Sequence, residues 1–93
     1  MDIDFEWDSK KAEKVLAERG IRFEDIESEV KADRFIDVKV KNQQDHPDQR
    51  MFVVRIDDYA VCAPYEKVGK NRARLVTAFK SRVFNKEKES GNG

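Results

Sequence analysis

The sequence predicts an α+β domain, with two N-terminal helices packed on an antiparallel sheet of about four strands and a short C-terminal helix. Three observations predict it. Apolar residues recur at helical spacing over residues 9–32. The period then changes to two, with Ile36, Val38 and Val40 alternating against Asp37, Lys39 and Lys41. The chain has 93 residues, which suits one domain with one modest core. The helices must therefore cover one face of the sheet to bury their own stripes.

Each element has a local cause. Ile3, Phe5 and Trp7 alternate with acidic residues, which suits a short half-buried strand over 3–7. Asp8 stands where a helix N-cap belongs, and Gly20 where a helix stops. Between them, 9–19 carries Ala12, Val15, Leu16 and Arg19 on one stripe. A second helix over about 23–32 places Phe23, Ile26 and Val30 on one face. Glu24 and Asp25 sit in its first turn, where the helix dipole favours them. Residues 34–41 read as a strand with one wet face, and 42–49 as a polar loop containing Pro47. Residues 51–56 and 59–65 read as a hairpin turning at Asp57-Asp58, without the glycine of the strongest signal. Pro64 marks either the end of its strand or a bulge. Gly69 marks a turn, 72–79 a last strand and 81–88 a last helix. Residues 1–88 form the expected domain, with 89–93 as a frayed tail.

Composition narrows the function classes. Charged residues make up 41% of the chain and apolar ones 39%, so the regular apolar spacing is what argues for a folded domain. No stretch approaches a membrane span, and the start MDIDFEWD is acidic, unlike a signal peptide. The expected location is the cytoplasm, and no membrane partner is expected. Cys62 lies in the apolar run YAVCAP and reads as a buried small hydrophobe. One histidine, one cysteine and scattered carboxylates give no metal-ligand spacing, and no cofactor is expected. The zero net charge hides an asymmetry. Residues 67–88 hold Lys67, Lys70, Arg72, Arg74, Lys80, Arg82, Lys86 and Lys88 against Glu87 alone. Such a run is either a solvated face or the footprint of a phosphate-bearing partner.

Three stretches resemble the BrnT toxin family, a branch of the RelE/ParE-like toxins. They are FEWDSKKAEKVLAERGIRFEDI at 5–26, HPDQRMFVVRIDDYAVCAPY at 46–65 and LVTAFKSR at 75–82. The first carries the aromatic-acidic-Trp-Asp opening and is the most specific. The last resembles a final strand leading into a Ser-Arg helix start. The resemblance implies a RelE-like fold and a metal-independent endoribonuclease that cleaves mRNA and inhibits translation. It also implies a cognate antitoxin, of the ribbon-helix-helix DNA-binding type.

Metal-free RNA cleavage needs a base, an acid and cations that stabilise the charged phosphorane. The resemblance places Arg82 in that chemistry. His46 has the only reference pKa near neutrality, although a loop histidine is also an ordinary solvated residue. Lys80 and Lys86 flank Arg82, and Lys80 joins it as a catalytic candidate. Arg50, Arg72, Arg74 and Lys86 are candidates for RNA phosphates. Arg55 lies on the other strand face with Met51 and Val53, where a structural salt bridge competes. Tyr59 and Tyr65 are either core residues or stacking platforms for a base. Phe79 and Phe84 are either core or part of a groove for the antitoxin. A non-catalytic module that complexes a DNA-binding antitoxin and co-regulates transcription is the alternative the residues leave open.

Overall fold

The computed structural model describes residues 2–39 and 49–82. The elements within them are β1 (Asp4–Glu6), α1 (Ser9–Arg19), α2 (Phe23–Lys31), β2 (Ile36–Lys39), β3 (Gln49–Ile56), β4 (Tyr59–Val68), β5 (Arg72–Leu75) and β6 (Phe79–Lys80). His46, Val83, Phe84, Lys86, residues 40–41 of the expected 34–41 strand, residues 42–48 of the polar loop and all but the first two residues of the 81–88 helix lie outside the described residues.

Local signals fix the helix ends. The Asp8 carboxylate accepts from the Lys10 and Lys11 N–H groups at 2.7 and 3.4 Å. Gly20 takes the left-handed conformation (φ 69°) and its N–H donates to the Leu16 carbonyl. α2 ends without glycine. Asp33 adopts φ 62°, its N–H donates to Val30 O, and the Arg34 N–H donates to Glu29 O. That pair of bonds is a Schellman closure with aspartate in the glycine position. Asp8→Ala should lower stability by about 1 kcal/mol. Thermal unfolding followed by circular dichroism should show a melting point ~4–8 °C lower, and an unchanged one would remove the cap from the account.

One sheet has the order β1-β5-β4-β3-β2, and β6 also pairs with β4. The β3–β4 hairpin turns at Asp57 and Asp58, both at positive φ (51° and 66°). Two left-handed central residues define the turn whose twist matches the flanking strands, so the aspartates perform the role more often given to Asn-Gly.

The sheet departs from the expected four-stranded meander in two places. β1 joins it in parallel beside β5, with Phe5 opposite Ala73. The expected strand 72–79 breaks into β5 and β6. Tyr65 faces Leu75, but Cys62 faces Phe79, so the 76–78 side carries one extra residue. Pro64 supplies the reason. Its carbonyl accepts from the Val76 N–H at 2.9 Å, but it has no N–H to return the bond, and the ladder bulges there. β4 itself continues to Val68, because Pro64 sits opposite Met51 at a position whose backbone groups point away from β3.

The core lies between the helices and one sheet face. Val15, Ile21, Phe23, Ile26 and Val30 pack with Phe52, Val54, Val61, Ala63, Tyr65, Ala73 and Leu75, joined at the margin by Phe5, Trp7 and Phe35. Phe52 is at the centre, stacked on Tyr65 at 3.9 Å and edge-on to Phe35 at 5.5 Å. β2 turns its apolar side chains away from the helices. Ile36 and Val38 pair with Val53 and Met51 on the face away from the helices, and Ile36 is 53% exposed. Asp37 faces the helix side, where it accepts the Tyr65 O–H at 2.9 Å. A buried phenol needs an acceptor, and this carboxylate provides it. Cys62 is buried as expected, and burial pushes its thiol pKa up, against a smaller opposing effect of a Ser81 hydrogen bond.

Candidate functional site

The sequence offers many cations, and the fold sorts them by whether a carboxylate already holds them. Arg74 lies in register between Glu6 of β1 and Glu66 of β4. It bonds Glu6 at 2.9 Å and reaches Glu66 at 3.5 Å, while Arg72 reaches Glu6 at 3.6 Å. The Arg74 hydrogen bond holds the Glu6 carboxyl below its ordinary pKa, partly offset by desolvation. This network bridges three strands on the face away from the helices and ties the parallel β1 to the sheet.

Arg50 is held on the other face, its Nε donating to Asp37 at 3.1 Å. Asp37 thus accepts from both Arg50 and Tyr65. Burial, and then the Asp37 carboxylate, raise the Tyr65 phenol well above its ordinary pKa. Tyr65 belongs to the core and has no exposed ring to offer a base. Arg34 pairs with Glu29 at 2.7 Å and Arg55 approaches Asp58 at 3.6 Å. Arg50, Arg72 and Arg74 therefore each carry an internal carboxylate, and a phosphate would have to compete with it.

Lys80, Arg82 and Arg19 are among the cations that stand without acidic partners among the described residues. Lys80 is opposite Val61 and so on the helix-bearing face, with Nζ 5.7 Å from the centroid of the half-buried Tyr59 ring. Tyr59 is outside the core cluster, so its ring remains a platform. Arg82 is exposed, just beyond Ser81, whose N–H donates to Ala60 O at 3.0 Å. Arg19 is exposed at the end of α1. Its Nη1 donates to Ala78 O at 2.8 Å and to Thr77 Oγ1 at 3.2 Å. Gly20 ends α1 where Arg19 reaches the 76–78 bulge, which leads directly into the strand carrying Lys80.

Residues 67–88 are thus not one surface in the part described. Arg72, Arg74 and Phe79 face away from the helices, whereas Lys80 faces toward them. Phe79 is 37% exposed opposite Cys62. The structure brings Lys80 onto Tyr59, and Arg82 follows two residues later in the chain. Arg72 and Arg74 lie on the opposite face, Arg50 lies on the helix-bearing face but at the Tyr65 end of β4, and His46, Lys86 and Phe84 lie outside the described residues. Arg19 was legible only as part of the α1 stripe. An arginine on a stripe otherwise apolar, one residue before the stop, was the available signal.

Among the described residues, no group of three His, Cys, Asp or Glu side chains is placed to hold a metal ion, and no helix is long and apolar enough to cross a membrane. No protein-family model matches this sequence. No curated protein matches it either. Among solved structures, the chain is similar to the Brucella abortus ribonuclease toxin BrnT, with 16% identity, covering 85% of this chain and 96% of that one at a TM-score of 0.63. This chain has the fold of BrnT.

Proposed function

We propose that this chain is the toxin of a toxin–antitoxin pair, of the BrnT kind within the RelE/ParE-like group, and a metal-independent endoribonuclease that cleaves mRNA in the cytoplasm and inhibits translation. The observation that carries the reading is Lys80 over the Tyr59 ring, with neither Lys80 nor the nearby Arg82 held by a carboxylate among the described residues, on a fold shared with a ribonuclease toxin. Arg82 and Lys80 supply charge to the phosphorane, and Tyr59 stacks on a base. Arg50, Arg72 and Arg74 have secondary parts, since each must first release a carboxylate. The partner is a cognate antitoxin of the ribbon-helix-helix DNA-binding type, for which Phe79 is a contact on the opposite face.

Expression without the antitoxin should arrest growth with fragmented mRNA, and the purified chain should cleave RNA equally well with and without EDTA. Activity lost on chelation and restored by one divalent ion would contradict the mechanism. The second reading, a non-catalytic module that binds a DNA-binding antitoxin and co-regulates transcription, gains support from the internal pairing of Arg50, Arg72 and Arg74. Normal growth with intact RNA would select it.

A further inference from the structure

We infer that Arg19, at the C-terminal end of α1, is a phosphate-binding residue that acts with Lys80 on single-stranded RNA; the inference rests on the ribonuclease reading above. Its side chain is oriented before any ligand arrives. Nη1 spends its donors on two neutral acceptors, Ala78 O and Thr77 Oγ1. Neither acceptor neutralises the charge. Nε and Nη2 make no hydrogen bond among the described residues, and these two nitrogens form the side-on fork that matches two oxygens of a phosphate. Arg34, Arg50, Arg55, Arg72 and Arg74 all reach a carboxylate, so Arg19 differs from them in kind.

Position adds to orientation. Arg19 is anchored on Ala78, in the 76–78 bulge two residues before Lys80 of β6, a separation of ~7 Å along the backbone. Lys80 lies on the helix-bearing face with the Tyr59 ring under its ammonium, and Arg19 reaches the adjoining bulge from α1. Two cations and a half-buried aromatic on one margin match a backbone-tracking groove with a stacking platform, the combination that binds single strands. A helix-capping role for Arg19 alone would send its guanidinium to the last carbonyls of α1, but it goes to the strand instead.

The test is binding of a short single-stranded RNA to the full chain across a salt series. Each phosphate contact contributes about 0.7 to the slope of log affinity against log salt for single strands. Arg19→Gln should flatten the slope by about that amount and weaken binding roughly tenfold at low salt. Thr77→Val removes a contact of Arg19 without removing charge, and should leave the slope unchanged. Arg19→Lys keeps the charge but loses the fork, so the slope should hold while affinity falls. A wild-type slope in Arg19→Gln, with Arg82→Gln flattened, would overturn the role of Arg19 and leave the ribonuclease reading standing. If Arg19→Gln does not fold, undiminished affinity in Arg19→Lys overturns the fork. No salt-dependent binding by the unmodified chain would overturn both.

Discussion

Arg82→Ala should remove toxicity and slow RNA cleavage by roughly 10- to 150-fold while leaving the fold unchanged. The figure follows from losing one hydrogen-bonded contact to a charged group, about 1.5–3 kcal/mol, at tenfold per ~1.4 kcal/mol. Arg82 is exposed, and no carboxylate holds it among the described residues. Its removal therefore takes away a ligand contact without orphaning an internal partner. Arg74→Ala is the contrasting substitution. It breaks a network with Glu6 and Glu66, so its main effect should fall on the attachment of β1, with cleavage changed little. Cleavage rates at equal soluble protein, with growth on induction, measure both. Full toxicity in Arg82→Ala would remove that residue from the site.

Phe52→Ala should destabilise the chain by about 3–5 kcal/mol, a large share of the roughly 5–15 kcal/mol that holds a domain together. Phe52 is fully buried and is the residue on which the ring contacts converge: Tyr65 stacks on it, Phe35 meets it edge-on and Phe5 approaches at 5.8 Å. The surrounding strands cannot close on the cavity without moving Tyr65, whose hydroxyl is tied to Asp37. The transition should fall by more than ~12 °C at ~4–8 °C per kcal/mol. A shift below a few degrees would show that the core is not centred there.

What could be read from the sequence was what neighbouring residues decide. Asp8, Gly20 and the Asp57-Asp58 turn are local devices, and all three act as expected. The rest depends on distant pairings. β1 meets β5 with Glu6 and Arg74 68 residues apart, and no pattern within either strand announces a parallel partner. The run from Arg72 to Phe79 alternates only as far as Leu75, and the adjacent apolar pairs Leu75-Val76 and Ala78-Phe79 break its phase without saying where the chain goes. The break arises across the sheet, because Pro64 cannot donate where Val76 offers a bond. β2 shows the limit of a period of two. Ile36 and Val38 share a face, but only the register with Val53 and Met51 decides that it is the face without helices.

The candidate site follows the same division. The basic excess of 67–88 is visible in composition. Strand alternation then divides it, and Glu6 of β1 and Glu66 of β4 neutralise Arg72 and Arg74. Arg19 enters from α1, outside the basic run altogether.

The most direct test of the central claim is a backbone NMR titration of the chain with a short single-stranded RNA. Resonances of Arg19, Tyr59, Thr77, Lys80 and Arg82 should shift together, with those of Arg50, Arg72 and Arg74 nearly still. Shifts centred on Arg72 and Arg74, with Arg19 and Lys80 unmoved, would place RNA on the opposite face of the sheet and contradict the account.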